Sequence, residues 1–156
     1  MKCVGALLVR NEAGPDRYLL RALDNAAAFC DAIVVVDDGS TDNTATICET
    51  HPSVAEVARR QGNGFWNIEG SEAPAREILW DLAAKHAGSD GWVYLFDADH
   101  ELLGITPREF RALLRATTAN AFCFVLWDCW DGEDRHRVDG PWKAWANPRP
   151  WLFRAV

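Results

Sequence analysis

The feature that most constrains the fold of this 156-residue chain is an alternation of short apolar runs with segments of helical periodicity. Four continuous apolar runs and one weaker run predict buried strands, which cover residues 3–9, 32–36, 54–58, 92–96 and 121–127. Because a helical pattern separates each run from the next, the predicted order of elements is β-α-β-α-β-α-β-α-β. This order is typical of the Rossmann-like α/β class, with an open, mostly parallel (mixed) sheet and helices on both faces.

Local signals predict where the four helices begin. Small polar residues cap helix N-termini, and proline suits the first helical position. The expected starts are Pro15 for the first helix, Ser40 or Thr41 as the cap of the second, Ser71 as the cap of the third, and Thr106 with Glu109 as a capping box for the fourth.

Composition limits the classes of function. The length predicts a single domain over residues 1–156, and 49% hydrophobic residues are enough to build its core. A net charge of −7 argues against a nucleic-acid partner, which requires a basic face. Five cysteines without a C-x-x-C pair predict small buried residues in a reducing compartment. No apolar run is long enough for a transmembrane segment, so we expect a cytoplasmic location, including the inner face of the membrane.

Polar residues follow three of the predicted strands. Arg10-Asn11-Glu12 ends the first, Asp37-Asp38-Gly39 the second, and Asp97-Ala98-Asp99 the fourth. Open α/β sheets bind ligands beyond the carboxyl ends of their strands. The sequence therefore predicts a functional site at this edge of the sheet.

Asp97 and Asp99 have the pattern of a metal site. In an extended segment, residues two apart face the same side, so both carboxylates can converge on one point. Unpaired, they would repel each other by a few kcal/mol at an effective dielectric constant of about 20. A divalent cation reverses this repulsion, and hard oxygen ligands favour Mg²⁺ or Mn²⁺. An acidic turn without a metal is the alternative.

Asp37 and Asp38 suggest a different partner. One of them can bond its own backbone in the turn, and the other can accept hydrogen bonds from a ribose hydroxyl or a base N–H. No G-x-G-x-x-G follows the first strand, which disfavours nicotinamide chemistry.

Taken together, four segments resemble family 2 glycosyltransferases with the GT-A fold. They are "LLVRNEAGPDRYLLRAL", "IVVVDDGSTDNTATI", "APAREI" and "VYLFDADHEL", and the resemblance covers about residues 2–103. The resemblance implies a nucleotide-diphosphate-sugar transferase that uses Mn²⁺ or Mg²⁺. The donor would most simply be a UDP-sugar, and the acceptor a carbohydrate, a lipid-linked group or a protein.

The resemblance also implies roles for individual residues. The nucleoside of the sugar nucleotide would be held by Arg10, Asn11, Glu12, Asp37 and Asp38. Arg76 would lie near the nucleotide or the sugar, although Glu77 stands where the family has Asn. Asp97 would contact the ribose or the sugar and take part in the metal site, and Asp99 would bind the metal. His100 and Glu101 are candidates for auxiliary ligands.

The implied reaction is inverting transfer. An acceptor hydroxyl attacks the anomeric carbon while the metal stabilises the departing diphosphate, and a general base takes the proton. The candidate bases are Asp131 and Asp134, with Asp128 as a third, or else the base lies in sequence absent from this chain. On that last expectation the domain is truncated before or within its acceptor-binding part.

The C-terminal third is rich in tryptophan and acids. These residues can form an acceptor surface, or a hairpin with tryptophan packed beneath it. The segment "GPWKAWANPRPWLFR" resembles the family region in which the chain returns to the sheet.

Three other functions remain open. A phosphatase-like fold with a catalytic Asp-x-Asp is disfavoured because Glu101 stands where Thr or Val is needed. A receiver-type signalling domain is disfavoured because a full strand and helix precede the acidic pair. A sugar-nucleotide-binding module without a catalytic base is the third alternative.

Overall fold

The computed structural model describes residues 1–61, 72–129, 135–136 and 146–155. In chain order, the elements within these ranges are β1 (Cys3–Val9), α1 (Leu19–Phe29), β2 (Ala32–Asp37), α2 (Thr44–Thr50), β3 (Val54–Arg59), α3 (Glu72–Ala87), β4 (Trp92–Phe96), α4 (Pro107–Ala116), β5 (Ala121–Phe124) and β6 (Arg149–Arg154). None of the helices in the described part of the chain combines the length and the apolar character needed to cross a bilayer.

The strands form one six-stranded sheet in the order β3-β2-β1-β4-β6-β5. β1 pairs in parallel with β2 and β4, and β2 pairs in parallel with β3. β6 lies between β4 and β5 and is antiparallel to both. This topology confirms the predicted mixed, mostly parallel sheet.

Helices cover both faces of the sheet, which explains why the central strands are apolar without interruption. On one face, α1 and α4 contribute Leu23 and Phe110 to a core cluster that also contains Trp92 of β4. On the other face, α3 packs through Leu79 against Val93. Full burial of each such side chain contributes about 1.5–3 kcal/mol to folding.

Two helices begin later than predicted because tertiary hydrogen bonds determine their starts. α1 begins at Leu19 rather than Pro15, since Gly14 closes a separate turn by accepting from the Arg17 N–H at 3.1 Å. α2 begins at Thr44 rather than beside Ser40 or Thr41. Asp42 precedes that helix, and its Oδ1 accepts from the Thr44 N–H at 2.9 Å.

Other predictions of local structure have mixed outcomes. The capping box of Thr106 and Glu109 is present at the start of α4. β5 ends at Phe124, three residues before its predicted end. Ser71, the expected cap of α3, lies outside the described residues.

The cysteines follow the prediction only in part. Cys3, Cys30 and Cys48 are buried as expected, whereas Cys123 and Cys129 are exposed. The two exposed residues belong to β5 and the segment after it. None of the described residues from 121 to 129 is fully buried.

Candidate functional site

The parallel strands bring their carboxyl ends to one edge of the sheet, which we call the rim: residues 10–12, 37–40, 60 and 97–100. Val9 is opposite Asp37 in the β1–β2 pairing, and Leu7 is opposite Phe96 in the β1–β4 pairing. The acidic segments predicted from sequence are therefore neighbours in space, although 85 residues and more separate the first from the last.

The loops after β1 and β2 are joined by hydrogen bonds. Asn11 has a positive φ of 53°, which asparagine tolerates better than most residues. Its Oδ1 accepts from the Thr41 N–H at 2.8 Å, and its own N–H donates to Ser40 Oγ at 3.0 Å. The Glu12 N–H donates to Thr44 Oγ1 at 2.7 Å. These bonds fix the two loops against each other, and they occupy the side-chain oxygen of Asn11.

Asp37 supports the turn that follows β2. It is 3% exposed, and its carboxylate accepts from both the N–H and the hydroxyl of Ser40. Gly39, between them, has φ 76°, a conformation that glycine adopts at little cost. Of the acidic pair, Asp37 is thus the residue that bonds its own turn.

Asp38 forms a buried ion pair. It is 1% exposed, and its Oδ1 lies 3.1 Å from Nε of Arg60, the residue after β3. Arg10 adds a second guanidinium, which donates from Nη1 to the Asp38 carbonyl oxygen at 2.9 Å. Two cationic side chains therefore adjoin the end of β2.

At the end of β4, a histidine lies beside the two aspartates. The Asp97 N–H donates to His100 Nδ1 at 3.2 Å, so the proton of the neutral ring is on Nε2. Nε2 lies 3.7 Å from Asp97 Oδ2 and 4.0 Å from Asp99 Oδ1. The ring edge contacts Trp151 of β6, with centroids 4.9 Å apart. Glu101 pairs with Arg21 of α1 instead.

The acids of the rim influence each other's protonation. The pKa of Asp97 is raised, chiefly by burial and also by Asp99, while the neighbouring His100 and Arg76 act in the opposite direction. Burial also raises the pKa of Glu12, and Asp99 adds to that increase. The ends of β1 and β4 therefore share one electrostatic environment.

Arg76 lies on the first turns of α3 and is close enough to Asp97 to lower its pKa. Its Nε donates to Glu72 at 2.6 Å, and both side chains are partly exposed. Arg76 also lines a cavity of about 660 Å³ with Trp80 and Leu95. Leu95 packs in the core cluster on the α3 face and precedes Asp97 by two residues, so this cavity lies beside the rim.

The rim fits a divalent cation only in combination with a ligand. Within the described ranges, no three His, Cys, Asp or Glu side chains are arranged to hold a metal by themselves. Asp97 and Asp99 nevertheless supply two hard carboxylates, and Asp99 is 72% exposed. Mg²⁺ and related ions are commonly held by one or two carboxylates together with substrate phosphates.

The structure thus brings together the described residues that were predicted to bind the nucleotide sugar and the metal. Of the other described candidates, Glu101 pairs with Arg21 of α1, and Asp128 follows β5 outside the rim. The rim holds Arg10, Asn11, Glu12, Asp37, Asp38, Asp97 and Asp99, with Arg76 beside it. The candidate bases Asp131 and Asp134 lie outside the described residues. Arg60 was not predicted from the sequence. The one sequence feature that indicates it is its position immediately after the third strand.

Comparison with known proteins agrees with this geometry. Residues 7–152 match the family model described as Glycosyl transferase family 2. The chain is 38% identical over 140 residues to the uncharacterized protein Rv3786c of Mycobacterium tuberculosis, a match that covers 85% of this chain and 33% of that protein. The chain therefore spans about a third of the length of this relative.

Two solved structures have a similar fold. S. aureus TarS 1-349 in complex with UDP has a TM-score of 0.62 and 20% identity, over 99% of this chain and 47% of that one. The mannosyltransferase PcManGT from Pyrobaculum calidifontis, in complex with GDP-Man and Mn²⁺, has a TM-score of 0.52 and 23% identity, over 77% of this chain and 34% of that one. At these identities the likeness establishes the fold alone.

Proposed function

The chain belongs to glycosyl transferase family 2, and from this premise we propose that it binds a nucleotide-diphosphate sugar and transfers the sugar to an acceptor hydroxyl with inversion. The single observation that carries the proposal is the rim, where three acidic strand ends become neighbours. The nucleoside would lie at the ends of β1 and β2, and the diphosphate at the end of β4.

The donor is proposed to be a UDP-sugar. TarS is bound to UDP, and the mannosyltransferase to GDP-Man and Mn²⁺. Both ligands are nucleotides of the proposed class, and TarS is similar over more of this chain. The acceptor would be a carbohydrate, a lipid-linked group or a protein, and the proposed location is the cytoplasm or the inner face of the membrane.

Asp97 and Asp99 would hold a divalent metal, Mn²⁺ or Mg²⁺, which supplies Lewis-acid stabilisation of the diphosphate leaving group. Arg76, beside Asp97, would orient the phosphates or the sugar by charge-assisted hydrogen bonds. The hydrogen bond from the Asp97 N–H to His100 keeps the carboxylate turn in one conformation. These residues would fix the sugar before the reaction and lower the entropic part of its barrier.

In the transfer itself, the acceptor oxygen forms a bond to the anomeric carbon while the bond from that carbon to the diphosphate oxygen breaks. The acceptor's proton passes to a carboxylate. Asp131 and Asp134 stay the candidate bases.

A second candidate function is a sugar-nucleotide-binding module without turnover. It is favoured by one fact, that the chain spans about a third of its mycobacterial relative. Under this alternative the rim would bind the donor, and residues elsewhere in a longer protein would complete the catalytic site.

Titration of UDP with and without Mn²⁺ tests the proposal. We expect binding that Mn²⁺ strengthens and that Asp99→Asn weakens by tenfold or more, because the variant removes one metal-binding carboxylate. Asp90→Asn is the matched control, since Asp90 is exposed and precedes β4 at the opposite edge of the sheet. Hydrolysis or transfer of a UDP-sugar then separates the enzyme from the binding module.

The result that contradicts the metal assignment is Mn²⁺-dependent UDP binding by Asp99→Asn with wild-type affinity. A chain that binds no nucleoside diphosphate in the presence of Mn²⁺ would contradict the proposed function as a whole.

A further inference from the structure

We propose that Asn25 of α1, assisted by Arg21, is a positioning residue for the metal site: it holds the turn that carries Asp97 and Asp99 in the conformation that binds the cation. This inference rests on the proposed function. It gives a helix outside the rim a role in metal binding, through the loop that joins β4 to α4.

Asn25 bonds both backbone groups of one residue in that loop. Its Oδ1 accepts from the Leu102 N–H at 2.8 Å, and its Nδ2 donates to the Leu102 carbonyl oxygen at 3.3 Å. Residues 97–106 contain no helix or strand, so the amide supplies the partners that regular backbone pairing would supply elsewhere. The Leu102 side chain also packs against the core cluster that contains Leu23 of α1. A single side chain therefore fixes Leu102 against the helix.

A second contact holds the residue before Leu102. Arg21 lies one turn before Asn25 on the same face of α1. Its Nε and Nη2 meet the two carboxylate oxygens of Glu101, with Nη2 donating to Oε2 at 3.1 Å. The Arg21 side chain is 46% exposed and that of Glu101 24%, and exposed ion pairs contribute little. Arg21 is therefore the weaker of the two contacts.

These contacts lie directly after the metal-binding turn. Glu101 and Leu102 follow Asp99 by two and three residues. The turn itself is closed by two bonds, because the Asp97 N–H donates to His100 Nδ1 at 3.2 Å and the His100 N–H donates to the Asp97 carbonyl oxygen at 3.0 Å. The Asp99 side chain is 72% exposed, so the place of its carboxylate depends on the backbone that carries it. α1 holds that backbone from its C-terminal side.

α1 is a rigid support for this purpose. Leu23, Ala26 and Phe29 of the helix are buried in the core cluster. Phe29 also packs edge-on against Phe110 of α4, with ring centroids 5.4 Å apart, and α4 begins where the loop ends. Sites supported by packed helices are held more precisely than sites supported by loops alone.

The role predicts a specific effect on the requirement for Mn²⁺. Apparent affinity falls in proportion to the fraction of the protein that is in the binding-competent conformation. Without Asn25, part of the binding free energy of Mn²⁺ would be used to order the turn. Once Mn²⁺ is saturating, the turn is ordered again and UDP should bind as it does to wild type. A general loss of stability would not produce this pattern.

The experiment compares wild type with Asn25→Leu, which keeps the approximate size of the side chain and removes both hydrogen bonds. UDP binding is measured by calorimetric titration at a series of Mn²⁺ concentrations. We expect the Mn²⁺ concentration for half-maximal UDP affinity to rise about tenfold, as for other residues that orient metal ligands. At saturating Mn²⁺, the UDP affinity should return to within about twofold of wild type.

Matched variants separate this role from a general effect on α1. Asp24→Leu changes the neighbouring residue, which pairs with His51 at 3.2 Å instead of with the loop, and should leave the Mn²⁺ requirement unchanged. Arg21→Met removes the exposed pair and should raise the requirement only about two- to threefold. If Asn25→Leu does not fold, Asn25→Ser serves instead, because a serine side chain is too short to bond both groups of Leu102.

Four outcomes would overturn the inference. An unchanged Mn²⁺ requirement in Asn25→Leu would make the amide bonds structural only, and so would a loss of UDP affinity that saturating Mn²⁺ does not restore. UDP binding by wild type that Mn²⁺ does not strengthen would remove the metal site on which the inference depends. If wild type binds no UDP in the presence of Mn²⁺, the proposed function itself fails. The first two outcomes are distinct from this failure, because in them wild type binds UDP with Mn²⁺.

Discussion

Single residues of the rim differ in how many of their polar atoms are left for a ligand. Asp37 bonds Ser40, and Asn11 bonds Thr41, so these two side chains stabilise loops. Asp99, by contrast, is 72% exposed. The sequence predicted which residues would meet at this edge. It could not predict the role of Asn11, because that depends on a hydrogen bond between loops about 30 residues apart.

His100 gives a prediction at the residue scale. His100→Ala removes the acceptor of the Asp97 N–H and the contact with Trp151. We expect Mn²⁺-dependent UDP binding to weaken about tenfold, as for other residues that orient metal ligands. His100→Asn should restore part of the affinity, because its side-chain oxygen can accept the same N–H.

The control for this prediction is His86→Ala. His86 bonds Glu56 at 2.8 Å, between α3 and β3, and its removal should not alter UDP affinity. Wild-type affinity in His100→Ala would show that the turn of Asp97 and Asp99 does not depend on the histidine.

Among the elements, strands were predicted better than helix starts. β1 and β4 match their predicted ranges because both faces are buried, and full burial leaves an unbroken apolar run in the sequence. α1 and α2 begin later than predicted because residues 10–17 and 40–43 form hydrogen bonds outside the helices. A local pattern determines a helix start only when the capping bonds are themselves local, as in α4.

The capping box at the start of α4 therefore leads to a prediction about the stability of this helix. Thr106 Oγ1 accepts from the Glu109 N–H at 3.3 Å, and Glu109 accepts from the Thr106 N–H at 2.9 Å. Thr106→Ala should lower the free energy of unfolding by about 1 kcal/mol, measured by urea denaturation. The Thr106 hydroxyl also donates to Glu109 Oε2 at 2.7 Å and lowers the pKa of that carboxyl, so the pKa of Glu109 should rise in the variant.

Thr118→Ala, in the exposed segment after α4, is the control and should change stability by less than about 0.5 kcal/mol. An equal loss in both variants would contradict a specific contribution from the capping box.

At the scale of the whole molecule, Asp31 joins the sheet to α4 at the edge opposite the rim. Asp31 accepts from the Cys3 N–H of β1 at 2.7 Å and from Arg111 of α4 at 2.6 Å. Burial alone would raise the pKa of Asp31, but these two hydrogen bonds outweigh it and hold the pKa below its ordinary value of 3.8. The sheet and α4 are therefore joined by a bond that requires an ionised carboxylate.

This bond predicts a dependence of stability on pH. Because the pKa is lower in the folded state, Asp31 stabilises the fold above the unfolded pKa, and the contribution is lost as pH falls through the folded pKa. Asp31→Asn should therefore be less stable than wild type at pH 7, by at most about 1 kcal/mol for so exposed a pair. The difference should shrink below about pH 4 in denaturation curves. Asp16→Asn, an exposed aspartate, is the control, and a difference that does not vary with pH would contradict this role.

The antiparallel direction of β6 determines where variation in this molecule is tolerated. β5 runs parallel to β4, and β6 runs back between them, so the end of β5 and the start of β6 both face the edge that carries Asp97. The described residues 125–129 and 146–148, which adjoin these two strand ends, therefore lie at the edge of the sheet that carries the rim. They belong to none of the six strands of the sheet. Under the proposed function, we expect substitutions in these residues to change the choice of acceptor more than the binding of the donor.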